Sequence, residues 1–390
     1  MSNFTIRRFA CLVVPFLALV GAEAGEPAGV KLQRVPQGGI QPQVVVDARG
    51  IVHLIYFRGE ARGGDGYYVR STNSGASFSK PIRVNSQPGS VIAVGSIRGA
   101  HLAIGKNGRA HVAWMGSGEA RPRGPSGEAP MLYARLNDEG NAFEPQRNVI
   151  RSAFGLDGGG SVSADAEGNV YVAWHAPGGP GIKGEGNRRV WVAHSQDEGK
   201  TFAAEKPVSA EDTGVCGCCG MRAFADQKGI LFLLYRSANK EVHRDTYLLT
   251  STPESDRFRS TRLHTWNVGI CPMSSFALAQ GNKGILAGWE TDGQVYYTRI
   301  DPASGKHSEP VAAPGPGKRR KHPVLASNAR GETILAWTEG TGWNRGGAVA
   351  WQVFDREGKP TAERGRRPGV PVWSLVAVFA RPDGGFTVLY

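Results

Sequence analysis

Residues 161–174 read SVSADAEGNVYVAW: a short strand, a D-x-x-G turn, and a second strand closed by an aromatic residue. Apolar residues alternate on both sides of the turn, the period of a half-buried strand, and the turn glycine is free to take a left-handed backbone. The segment is therefore a tight β-hairpin. Recurrence decides the fold. The same hairpin is spelled by VVVDARGIVHLIY (44–56), LAIGKNGRAHVAW (102–114), AFADQKGILFLLY (223–235), ALAQGNKGILAGW (277–289), VLASNARGETILAW (324–337) and VFARPDGGFTVLY (378–390). Its turn glycines, Gly50, Gly108, Gly168, Gly229, Gly284, Gly331 and Gly384, follow at intervals of 47 to 61 residues. Tyr56, Trp114, Trp174, Tyr235, Trp337 and Tyr390 each stand six positions after their glycine, and Trp289 stands five after.

A repeat of this length, built of period-2 strands, predicts an all-β fold, a β-propeller with each unit one four-stranded blade. Third strands follow in the first six units as GYYVRS, MLYARL, VWVAHS, TYLLTS, VYYTRI and AVAWQV. The seventh unit ends at Tyr390 after its second strand, so its missing strand is expected from GVKLQRV, residues 29–35. Seven blades closed by both termini are predicted, with six the alternative if one unit is an insertion. The repeat aromatics are read as packing between blades. With Gly at 54 residues, Pro at 24 and no composition break after residue 30, residues 25–390 form one domain.

Ahead of that domain, Arg7 and Arg8 precede an apolar run from Ala10 to Val20 and then Ala22-Glu23-Ala24. This is the pattern of a signal peptide, residues 1–24, of the Sec type. The run is too short to span a bilayer, so export to a periplasmic or extracellular space, without stable membrane insertion, is the expectation. Cleavage would leave four cysteines, an even number in an oxidising compartment. The net charge of +12 is spread through loops apart from Gly317-Lys318-Arg319-Arg320-Lys321-His322. That cluster suits an anionic glycan or surface, and the absence of any nucleic-acid-binding motif argues against nucleic acid.

A second motif follows the third strands. Ser195-Gln-Asp197-Glu-Gly199-Lys-Thr201-Phe202 is a full S-x-D-x-G-x-T-F, and Ser71-Thr-Asn73-Ser-Gly75-Ala-Ser77-Phe78 a close variant; Asp138-Glu-Gly140 and Asp355-Arg-Glu-Gly358 are decayed copies. The logic is a hairpin lock: the Asp or Asn and the hydroxyls bond local backbone, Gly takes the left-handed position, and the aromatic packs into the blade. On these Asp boxes and the seven units the chain resembles the sialidase (neuraminidase) superfamily over nearly its whole mature length. The resemblance implies a propeller with its site on the face opposite the Asp boxes. It also implies three arginines for the substrate carboxylate, a Tyr/Glu pair, and an Asp in a first-blade loop. The R-I-P position of the family falls on Ile40-Gln41-Pro42, so the first arginine is missing, and no Tyr/Glu pair can be assigned. The loop Phe57-Arg58-Gly-Glu60-Ala-Arg62-Gly-Gly-Asp65-Gly-Tyr67 offers Asp65 as the acid, with Arg58, Arg98, Arg236 and Arg244 as ligand-binding candidates.

The cysteines lie in the lead-in loops of neighbouring blades. Cys216, Cys218 and Cys219 precede Gly229, and Cys271 precedes Gly284, so all four should meet on the site face. One reading is two disulfides, Cys216 to Cys219 and Cys218 to Cys271, or the same with the local partners exchanged. The second is a soft-metal site of Cys216, Cys218, Cys219 and Cys271 with Met221 and Met273, and His101 and His322 nearby, for which thiolate and thioether suit copper. A catalytic thiol is the third. C-x-C-C before one blade and Cys-Pro before the next also resembles an exported subset of sialidase-like propellers, which implies a feature of the fold variant.

Three functions follow. The first is a glycan- or protein-binding propeller with a degenerate sialidase site and no cofactor, its partner a glycan or glycoprotein. The second is an exo-α-sialidase or other glycoside hydrolase. The third is a copper-binding or redox propeller. Three arginines converging with Asp65 would favour the hydrolase; four gathered sulfurs without S–S pairs would favour metal.

Overall fold

The computed structural model describes residues 1, 29–240, 242–251, 257–315 and 318–390; the expected signal peptide lies outside the described residues. Seven sheets form seven blades. Blade I comprises strands Ile40–Val46, Val52–Glu60, Gly63–Ser71 and Ile82–Arg83. In blade III they are Ser161–Ala164, Val170–Pro177, Arg188–Ser195 and Lys206–Pro207, and in blade IV Arg222–Ala225, Leu231–Arg236, Thr246–Ser251 and Arg259–His264. Blades II, V and VI repeat this antiparallel order, with inner strands His101–Ile104, Ala277–Gly281 and Arg320–Ser327. The described residues contain no α-helix, hence none long and apolar enough to cross a membrane.

Blade VII closes the ring as expected, with three strands in place of four. Its strands Ala377–Ala380 and Phe386–Leu389 are joined by Val30–Gln33 from the other end of the chain, making a three-stranded sheet. The N-terminal strand runs parallel to its neighbour, Val30 opposite Phe386 and Gln33 opposite Leu389. A parallel run is required because the chain must arrive at the lead-in end of blade I. Tyr390 N–H donates to the Gln33 carbonyl at 3.1 Å, and the Arg34 guanidinium lies 4.0 Å over the Tyr390 ring.

Each interface between blades holds one of the seven repeat aromatics. Tyr56 packs with Phe379 and Leu389, Trp114 with Phe57 and Tyr68, and Trp174 with Met131 and Tyr133. Tyr235 meets Tyr171, Trp289 meets Phe232, Trp337 meets Tyr297, and Tyr390 meets Ile334. All seven are buried, and the turn glycines that set their register all have positive φ. The aromatic is thus buried in every blade, six residues after its turn glycine in six of them and five after in blade V.

The hairpins after the third strands of blades I and III are tied as their sequence suggests. Ser195 Oγ donates to Asp197 Oδ1 at 2.7 Å and accepts from Gly199 N–H at 2.9 Å, while Thr201 donates to Asp197 through its N–H at 2.8 Å and its Oγ1 at 2.7 Å. Ser71, Asn73, Gly75 and Ser77 repeat the arrangement, and Phe78 and Phe202 pack into neighbouring blades. Both glycines have positive φ, at 80° and 75°, so a side chain at either position would be strained.

Candidate functional site

Above blades III, IV and V, on the face of the lead-in loops, four thiols come together. The loop carrying Cys216, Cys218 and Cys219 is fixed to its neighbours by backbone bonds: Cys216 N–H to the Arg236 carbonyl at 2.9 Å, and Gly220 N–H to the Ser274 carbonyl at 3.0 Å. Glu185, from the loop between the second and third strands of blade III, accepts from Gly217 N–H at 2.7 Å. The loop is therefore built against three blades at once.

Cys216 Sγ lies 3.4 Å from both Cys218 Sγ and Cys219 Sγ, and the three sulfurs fall within 4.8 Å of one another. Cys218 Sγ also lies within 4.8 Å of Cys271 Sγ and a Glu185 oxygen. The lead-in loops do bring all four cysteines together, but the expected disulfides are not formed: all four are free thiols. A disulfide needs sulfurs about 2.0 Å apart, whereas three sulfurs around one ion with bonds of about 2.3 Å stand about 4 Å apart. The observed spacing lies nearer the second value. Cys216 and Cys219 are buried, Cys218 is half-buried and Cys271 is exposed.

The cluster is set among arginines. Arg244 pairs with Glu185 at 2.7 Å, yet its Nε and Nη1 are buried without a partner among the described residues. Arg236, 1% exposed, gives Nη1 to the Arg244 carbonyl at 2.8 Å and Nη2 to the Glu290 carbonyl at 2.6 Å, and lies between the Trp266 and Phe276 rings. Burial alone would raise the Cys219 thiol, but bonds from Cys216 and Cys218, the Arg236 charge and the Ser274 backbone outweigh it and hold Cys219 well below the usual thiol range. Its bond partner Cys218 is pushed up, first by Cys216 and then by Cys219. The electrostatics thus favour one sulfur anion, on Cys219, with Cys216 as well as Cys218 pushed up.

The other predicted site residues have partners of their own. Asp65 accepts from Asn85 Nδ2 at 2.7 Å and from Gly89 N–H at 2.8 Å, so it ties down the loop after blade I. Arg58 is exposed, donates to Gln37 Oε1 at 2.7 Å and lies over Tyr67; Arg98 pairs with Asp157 at 3.3 Å. Arg236 and Arg244 do meet, but at the cysteines. Met221 is buried in the core between blades III and IV, and Met273 borders Gly95 beside Trp343.

His101 and His322 stand on inner strands and line the central channel. Sequence reading missed this region. The channel encloses about 450 Å³, and at its upper end Arg222, Gln43, His101, Ser275 and His322 gather. Arg222 Nη1 donates to Gln43 Oε1 at 2.5 Å and lies 3.3 Å from His101 Nδ1, and Ser275 Oγ lies 3.0 Å from His322 Nδ1. Burial lowers both histidines to about 3, so they are neutral, and lowers Arg222 to about 10, so it stays charged.

No known protein family and no curated protein matches the sequence. Solved structures share its fold. An α-L-arabinofuranosidase of Fusarium graminearum, in complex with an iminosugar inhibitor, is 12% identical with a TM-score of 0.53, covering 85% of this chain and 98% of that one. An α-L-arabinanase of Penicillium chrysogenum complexed with arabinobiose is 15% identical at 0.51, over 83% and 95% of the two chains. A Hadza microbial sialidase is 12% identical at 0.49, over 85% and 74%. The chain thus has the propeller architecture of the arabinofuranosidase and the arabinanase, and at such identities the likeness is one of fold.

Proposed function

We propose that the chain is an exported propeller that binds a soft metal ion, copper(I), through the thiols above blades III, IV and V. The observation that carries this reading is the meeting of Cys216, Cys218 and Cys219 within 4.8 Å as free thiols. An all-sulfur set of three suits copper(I), whereas structural zinc takes four closed ligands. Three thiolates on a monovalent ion leave the cluster anionic, and the unpartnered Nε and Nη1 of Arg244 are donors of the matching charge. Cys271, exposed beside Cys218 and Glu185, is a point at which the ion enters.

The test begins with protein prepared from an exporting host without reductant. Its intact mass is compared before and after denaturing alkylation, then copper(I) and zinc(II) are titrated against competing chelators. Four alkylatable thiols, one tightly held copper(I) per chain that shields Cys216, Cys218 and Cys219, and loss of binding in Cys218→Ser are expected. Four unmodified cysteines at a mass 4 Da low would mean two disulfides and end the proposal.

A second reading, glycan binding on the same face, is favoured by Trp343. It is 57% exposed and packs edge-on against Trp373 at 4.8 Å, leaving an aromatic surface near the thiol loops. Quenching of tryptophan emission by neutral or acidic oligosaccharides, absent in Trp343→Ala, would support it; unchanged emission across the panel would remove it.

A further inference from the structure

We infer that the central channel binds a small monocarboxylate, its carboxylate on Arg222 and its aliphatic tail directed along the channel axis. Arg109, Arg135, Arg244 and Arg320, all with side chains at most 13% exposed, each meet a carboxylate. Arg236 instead has two backbone carbonyls and two aromatic rings. Arg222 has only Gln43 and the neutral ring of His101, and no acidic partner among the described residues. It is also the only ionised side chain in the described channel wall. Arg222 is half-buried, its open side facing the channel, and a guanidinium so placed without an acidic partner is a ready donor to an anion in the lumen.

The wall below Arg222 says which kind of anion. Side chains two apart on a strand share a face, so Gln43, His101 and Arg222, a polar tier, are followed on the same strands by Val45, Ala103 and Phe224, and Ser275 by Ala277 at the start of its strand. Buried Ile97 and the adjacent Gly220 border the upper end, while Val46 and Gln280 at the other end are exposed. A lone inorganic ion would leave most of about 450 Å³ to water against apolar carbon. A carboxylate with a short alkyl chain satisfies both tiers. No lysine stands in the described channel wall, and His101 and His322 each hold Nδ1 in a bond to a serine, Ser161 and Ser275.

The experiment is calorimetric titration of the wild-type protein with acetate, butyrate and hexanoate, beside hexanol and inorganic phosphate. Affinity should rise by up to about fourfold for each methylene buried, with hexanol and phosphate at least tenfold weaker than hexanoate. Arg222→Met should lower hexanoate affinity at least tenfold at an unchanged melting temperature. Should that variant not fold, Ala103→Leu, which narrows the apolar tier, should weaken hexanoate more than acetate. Affinity independent of chain length, phosphate binding equal to hexanoate, or no binding to the wild type would each overturn the inference. None of these outcomes depends on the thiol cluster.

Discussion

Asp197 holds its charge through neighbours that exist only in the folded hairpin. Burial raises the carboxyl, but the Thr201 N–H and Oγ1 and the Ser195 hydroxyl prevail and lower it from 3.8 to about 2. A depressed carboxylate contributes stability above its unfolded value and loses it as pH falls through the folded one. Asp197→Asn, which cannot ionise, should melt below the wild type at neutral pH and lose less of its melting temperature between about pH 4 and pH 2. An equal acid loss in both proteins would show that the bonds do not favour the ionised form. At this scale the sequence is partly legible. The hairpin locks can be read because all their partners lie within a few residues. The meeting of the cysteines can be read because the repeat dates each loop to its blade. The bond that Asp65 accepts from Asn85 is not legible, because Asn85 lies in a different loop. Nothing in Met221-Arg222-Ala223-Phe224 marks Arg222 as a channel residue until strand alternation is traced around the axis.

Each blade depends on its second strand, the one that carries the repeat aromatic. Trp174 is fully buried, its Nε1 donating to the Ala153 carbonyl at 3.0 Å. Trp174→Ala removes both the ring and that bond and should cost about 3–5 kcal/mol, measured by denaturant unfolding. A loss under about 1 kcal/mol would mean the neighbouring blades collapse into the space. The first three strands of a blade are visible in sequence because alternation and turn glycine agree over a dozen residues. The outer strands are not, since those of blades I, II, III and V are two residues long and lie in regions of polar sequence. In blade VI the outer strand is the longest in the chain, Pro360–Val370, and it is mostly exposed. Its polar surface hides it from a search for apolar alternation.

For the whole molecule the joint in blade VII is decisive. Val30 and Leu32 pack against the core between blades VI and VII, and the parallel ladder covers the edge of Phe386–Leu389. Deleting residues 29–35 should cost about 3–5 kcal/mol from the lost ladder bonds and apolar cover, seen as a clear fall in melting temperature. An unchanged melting temperature would show that the ring closes without this strand. Closure by one strand from each end could be foreseen, because a ring of identical units leaves only one gap to fill; its parallel direction follows from the path into blade I.

That joint also sets a timetable. Val30–Gln33 is made long before its partner Phe386–Leu389, so six blades can take shape while the seventh still lacks a strand. The early strand must wait, solvated and unpaired, until that partner arrives. The slow step of folding should then be the meeting of two segments far apart in sequence, and a chain lacking Phe386–Leu389 would leave the early one waiting.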